Sequence, residues 1–196
     1  MKWFQPIECD NTVKNPLVCN NDNLEQYGFQ EDDFIIGKRI KDWRDVISFR
    51  ATDKKHDGKP DDVLQNHLML PIYSDRLTSE LMKEEINGIQ YLPIRVLRPK
   101  NNEIKGFAIA NIINFVEAFN YKKSDYTRFE DDFPNPTVRG KIAMVDNFVL
   151  YKNKLVGMDI IRLKDYNQRI FISENVKTIF DKNNFTGYSF REIKLT

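Results

Sequence analysis

The chain predicts an α+β fold: a single domain, 1–196, with two related strand-helix-strand units (about 70–96 and 169–195) and additional antiparallel strands. Three observations carry that reading. Residues 70–96 and 169–195 register on each other without a gap at an offset of 99; Ser74/Ser173, Lys83/Lys182, Gly88/Gly187 and Ile94/Ile193 are identical. The apolar class is kept at Ile72/Phe171, Leu77/Val176, Leu81/Phe180, Ile86/Phe185, Ile89/Tyr188 and Tyr91/Phe190, and a self-similarity at fixed spacing marks a reused supersecondary unit. Strand-like runs outnumber amphipathic ones, and 196 residues with 41% hydrophobic and 12% aromatic side chains suffice for a sizeable core.

Residues 1–68 read as an irregular N-terminal part ahead of a duplicated core at 69–196. Asn, Asp and Pro punctuate NTVKNPLVCNNDN as loop, with a strand near Phe34 to Ile36 and a strand or short helix near Trp43 to Phe49. The polar run DKKHDGKPDD (53–62) reads as a solvated loop. In the first unit the apolar pair Ile72-Tyr73 meets Ser74, whose hydroxyl can accept from the free amides of a new helix, and then Asp75, where the helix dipole favours negative charge. Leu77 and Leu81, four apart, line one helical face; Asn87-Gly88 places a glycine where a left-handed cap costs least, and alternation resumes at Ile89/Tyr91. The second unit repeats this with Phe171-Ile172, Ser173-Glu174, Val176/Ile179/Phe180, Thr186-Gly187 and Tyr188/Phe190. Between the units, 106–114 reads as an apolar strand, 116–119 as a short amphipathic segment and 124–136 as loop. Two strands near 141–150 and 156–163 read as a hairpin about Lys152-Asn153-Lys154.

The inventory of chemistry is sparse. Thirty basic residues balance 29 acidic ones without a basic run of five, so no nucleic-acid partner is expected. No window approaches the roughly 18 apolar residues of a membrane span, and no secretory signal opens the chain, so a cytoplasmic protein with Cys9 and Cys19 as reduced thiols is expected. His56 sits in a charged loop and His67 beside the first unit, both as ordinary structural residues. Asp53, Lys55, Asp57 and Gly58 fail as a calcium loop: lysine holds the third ligand position, Pro60 intrudes and Leu64 stands where a glutamate is needed. The paired carboxylates Asp61/Asp62, Glu84/Glu85 and Glu130/Asp131/Asp132 read as solvated surface. No phosphate cradle, nucleophile elbow or paired Cys-x-x-Cys occurs. No catalytic residue, metal or cofactor is expected.

What stands out is acid mixed with aromatics in irregular backbone. Tyr121 to Pro136 places Tyr126, Phe129 and Phe133 around Glu130, Asp131 and Asp132, and Tyr27 to Phe34 repeats the texture with Asp32 and Asp33. Such loops suit protein recognition, where a few buried aromatics give affinity and charge gives steering. The alternative is that the phenylalanines cap the core while the acids keep the loop wet.

The stretch MDIIRLKDYNQRIFISENVKTIFDKNNFTGYSFREI resembles the C-terminal signature of a bacterial immunity-protein family, the eleventh immunity family of polymorphic toxin systems, first catalogued as a domain of unknown function. The counterparts are Ile161-Arg162, Ser173-Glu174, Thr186-Gly187 and Phe190 to Ile193; the first unit is similar to the family's middle segment through Ser74, Gly88 and Leu92-Pro93-Ile94. Asn111 to Ser124 is similar to the stretch that follows, with Asn120 where an aspartate is common. The resemblance covers residues 69–194. It implies a non-catalytic protein that binds and neutralises a cognate toxin, and Asp32, Asp33, Tyr126, Phe129, Glu130, Asp131 and Asp132 are the candidate toxin contacts. An enzyme whose site assembles from scattered polar residues, which a concave pocket would favour, and a structural or regulatory binding module of the same fold are the alternatives.

Overall fold

Two six-stranded β-sheets with one shared strand pattern and a two-stranded arm make up the fold, seen in a computed structural model that describes residues 1–8, 17–51 and 59–196. The chain runs through β1 (Trp3–Glu8), β2 (Val18–Asn21), β3 (Ser48–Ala51), β4 (Val63–Asn66) and β5 (Ile72–Ser74) into α1 (Asp75–Lys83). It continues through β6 (Ile89–Leu97), β7 (Glu103–Ile112), β8 (Phe115–Val116), β9 (Asp125–Arg128), β10 (Ile142–Asn147) and β11 (Val149–Leu150). The last elements are β12 (Ile160–Leu163), β13 (Ile170–Ser173), α2 (Glu174–Asn183) and β14 (Tyr188–Leu195). The fold is mostly β with two helices. Among the described residues no helix is long and apolar enough to cross a membrane.

Strands β2-β3-β6-β7-β5-β4 close into a barrel, and β11-β14-β1-β13-β12-β8 form an open sheet. The pairings match strand for strand. β2 runs parallel to β4 as β8 does to β12, β4 antiparallel to β5 as β12 to β13, and β6 parallel to β3 as β14 to β11. β5 and β6 flank β7, and β13 and β14 flank β1, antiparallel in every case. The strand in the middle of the open sheet therefore comes from the start of the chain.

Three cores follow from the alternation of side chains across each strand. One fills the barrel with Phe34, Phe49, Ile72, Val96 and Ile109, and one backs the open sheet with Trp3, Phe119, Leu163 and Phe171. The third lies between the two sheets, where Leu77 and Leu81 of α1 and Val176, Ile179 and Phe180 of α2 meet Val63, Tyr73, Ala110, Ile160 and Ile172.

Both helices begin as their serines dictate: Ser74 Oγ accepts from the Leu77 amide at 3.2 Å and Ser173 Oγ from the Val176 amide at 3.4 Å. Each serine hydroxyl also donates to an aspartate just before the preceding strand, Ser74 to Asp62 at 2.8 Å and Ser173 to Asp159 at 2.5 Å. Both helices end in the same turn, with the Ile86 amide on the Leu81 carbonyl and the Phe185 amide on the Phe180 carbonyl. The left-handed residues of these turns are Glu85 and Asn184, not the expected glycines. Gly88 and Gly187 have positive φ one turn later, where a neighbour leaves no room for a side chain: the Asn114 side chain at Gly88, and at Gly187 the Val63 carbonyl oxygen, 2.4 Å from where a Cβ would lie.

Several sequence expectations are corrected. The first 68 residues are not irregular throughout, since β1 to β4 lie within them. Phe34 to Ile36 is not a strand; residues 31–34 form a 3-10 turn, because Asp33 accepts from the Gln30 amide and folds the segment back. Strand formation in the next region is confined to Ser48–Ala51. Residues 141–163 do not form a hairpin: β10 pairs with β9 within 124–136, the stretch read as loop, while β11 and β12 join different strands of the open sheet. Asp61 and Asp62, read as solvated, are 3% and 8% exposed. Burial alone would raise the Asp62 pKa, but hydrogen bonds from Arg76, Ser74 and the Thr186 amide outweigh it and hold the carboxyl below its ordinary value. Cys19 is buried in the barrel core. Cys9, His56 and the rejected calcium loop, Asp53 to Gly58, lie outside the described residues.

Candidate functional site

The structure places the acidic-aromatic residues in two separate settings. Asp32 is exposed beside a groove lined by Glu25, Phe29 and Glu31, while Asp33 is half-buried and holds its own 3-10 turn. Their neighbours Tyr27, Phe29 and Phe34 pack on the barrel core. The second set lies on the β9–β10 arm. Tyr126 is half-buried at its root, edge-on to Phe119 at 5.5 Å and Tyr121 at 5.7 Å, with Arg128 stacked over both tyrosines at 5.3 Å. Burial, and then the Asp165 carboxylate that accepts from Tyr121 Oη, push that hydroxyl up to about 12. Farther out, Phe129 and Phe133 pack at 4.8 Å, and Glu130, Asp131 and Asp132 are exposed with no ion pair among the described residues.

The two loops occupy equivalent places. One joins β2 to β3, the other β8 to β11, and these are matching strands of the two sheets. Tyr27-Gly-Phe-Gln-Glu-Asp-Asp-Phe34 and Tyr126-Thr-Arg-Phe-Glu-Asp-Asp-Phe133 stand at the offset of 99 that relates the helical segments. Extending the register found at residues 70–96 backward along the chain would have exposed this identity. It is the signal that sequence reasoning missed.

A concave site lies elsewhere. A cavity of about 540 Å³ is walled by β1, β12, β13 and β14, by the arm at Met144 to Asp146, and by Met69 and Pro71 from the barrel side. Its deepest polar group is Arg162 of β12, 2% exposed. Desolvation lowers the Arg162 guanidinium to about 10, and two tyrosines, the buried Tyr73 and the half-buried Tyr188, face its charge. Burial raises both of their hydroxyls well above the ordinary range. The groups converging here are guanidinium and phenol. The hydroxyl-carboxylate pairs, Ser74 with Asp62 and Ser173 with Asp159, sit at helix starts as caps. Among the described residues no cluster of His, Cys, Asp or Glu could hold a metal ion.

Arg162 belongs to the Ile161-Arg162 pair of the family signature, which ties the resemblance to the floor of the cavity. No curated protein matches the chain closely enough to support a comparison. A family model does match, over residues 4–195, and it takes in both sheets, both helices and the β9–β10 arm. On that match the chain belongs to the immunity protein family Imm11.

Proposed function

We propose that this protein is a single-domain, non-catalytic immunity protein of a bacterial polymorphic toxin system, acting in the cytoplasm by binding and neutralising a cognate protein toxin. Family membership supports a non-catalytic role. The observation that carries the docking surface is the β9–β10 arm: Phe129 and Phe133 pack against each other at a tilt of 55°, and the three acids between them in sequence are exposed without a cationic partner among the described residues. Exposed acids there cost little in the free protein and gain charge-assisted bonds when a basic surface arrives. Tyr126 and Arg128 brace the arm's root, while Asp32 and Asp33 on the equivalent barrel loop form a smaller acidic rim. We further infer that the two sheets descend from one duplicated unit, because the pairing pattern, the helix caps and the acidic loops correspond.

Reversal of Glu130, Asp131 and Asp132 to lysine together tests the arm. Because all three are exposed, the fold should be unaffected within about 0.5 kcal/mol. Affinity for the toxin encoded beside this gene, measured by co-expression and titration, is expected to fall at least about tenfold, roughly 1.4 kcal/mol. Unaltered affinity removes the arm as the docking surface.

A further inference from the structure

The cavity floor poses a problem of charge. Arg162 is a buried cation without an ion pair among the described residues, and a buried guanidinium is costly to keep unless a counter-charge meets it. Its Nη1 donates to the Asn167 carbonyl at 2.7 Å. That leaves the edge formed by Nε and Nη2, and Nε has no hydrogen-bond partner among the described residues.

That edge is the one this protein uses elsewhere to hold carboxylates. Arg50 grips Asp22 through Nε and Nη2, both at 3.1 Å, and Arg76 grips Asp62 through the same two nitrogens at 3.1 and 2.6 Å. Arg95 uses the same two nitrogens on Glu103, both on the single oxygen Oε2, at 3.2 and 3.0 Å. The two parallel N–H bonds fit the two oxygens of a carboxylate or phosphate. Arg162, its Nε unpaired, lines a space of about 540 Å³, within the range of small-molecule sites. The charged lining is three arginines, Arg162, Arg169 and Arg191, against Glu8 and Asp146, an excess of one positive charge. Phe148, Tyr166 and Tyr188 supply flat apolar surface around it.

We propose that this cavity is a binding site for a small organic oxyanion, a carboxylate or phosphate on an aromatic or apolar body, with the Nε–Nη2 edge of Arg162 as its anchor. Arg169 and Arg191 steer the ligand inward, and the aromatic wall takes its body. The site is separate from the acidic arm tip and does not depend on toxin binding.

Benzoate and phenyl phosphate, which share a ring and differ in the oxyanion, are the probes. Each is titrated to about 10 mM against the full chain while the Arg162 Nε–Hε signal is followed by NMR. A saturable shift of that signal with either probe is expected, and the tighter one identifies the oxyanion. In R162M, with its fold checked and each titration followed in the backbone amide spectrum, affinity should fall at least about tenfold. Should R162M not fold, M144W provides the second test. Met144 lies on the cavity wall and is 51% exposed, so a bulky ring there should obstruct the cavity and weaken binding to the same extent. Absence of a saturable shift with both probes, or unchanged affinity in the variants, overturns the proposal.

Discussion

The barrel half and the open half carry out one strand order with different closures. In the barrel, β2 and β3 pair over three residues, Cys19 to Asn21 against Phe49 to Ala51, and no edge is left. In the open half the matching strands β8 and β11 meet only beyond β8, through the single bridge Phe119 to Leu150. The connections explain the contrast. The β2–β3 connection folds inward, with Leu24, Phe34 and Ile47 buried and Phe29 and Trp43 packed on them at a ring distance of 5.1 Å. The β8–β11 connection instead puts Arg128 where the other has Phe29, and it projects as a hairpin. One motif thus has two fates: Phe34 is 0% exposed and its counterpart Phe133 is 38% exposed. A Glu-Asp-Asp-Phe stretch does not decide its own burial; the residue two places before it and the closure around it do.

The comparison can be broken first at the shared core. Leu81→Ala and Phe180→Ala each should cost about 2–5 kcal/mol, by leaving a cavity between the halves. Because both helices lie in that core, the halves should unfold together. Trp43 reports the barrel and Trp3 the open sheet, so single-tryptophan variants should show coincident denaturant transitions, and two separated transitions would mean independent halves.

The glycines sharpen it next. Gly88→Ala and Gly187→Ala both force alanine into a left-handed backbone, about 1–3 kcal/mol each. At Gly88 the obstruction is the Asn114 side chain, which can turn away; at Gly187 it is the Val63 backbone, which cannot. Gly187→Ala should therefore be the more destabilising in thermal or urea melts. Equal losses would remove the asymmetry.

The smallest effect is a pH dependence. Asp62 has a depressed folded pKa, so its contribution is complete above the unfolded carboxylate value of about 4 and is lost as pH falls through the folded value. Acid titration of stability should be shallower in Asp62→Asn than in the parent chain, and parallel curves would show that the Arg76 and Ser74 bonds do not carry it.

The local rules of the chain were legible. Ser74 and Ser173 start helices because their hydroxyls reach the next turn's amides, and Leu77/Leu81 and Val176/Phe180 face inward because they repeat with the helical period. What was not legible is non-local. β1 reads as a short irregular start, since its partners lie at Ser173 and Ile193. Asp62 reads as solvated because Thr186, which encloses it, is 124 residues away. The burial of Arg162 is non-local as well, because its strand is covered on both faces, by the core behind the open sheet and by the core shared with the barrel in front. The acidic loops stand out by composition, and their equivalence is legible too once the offset of 99 is carried back from residues 70–96 to 27–34.

The placement of β1 between β13 and β14 has a consequence for synthesis. A ribosome releases Trp3 to Glu8 before the other strands, but the slot they fill has one wall at Ile172 and Ser173 and the other at Tyr188 to Ile193, made after them. The barrel can assemble while translation continues, whereas the open sheet must wait until Tyr188 to Ile193 have emerged. Until then its first strand stays without partners, the kind of exposed edge for which a nascent-chain chaperone has use.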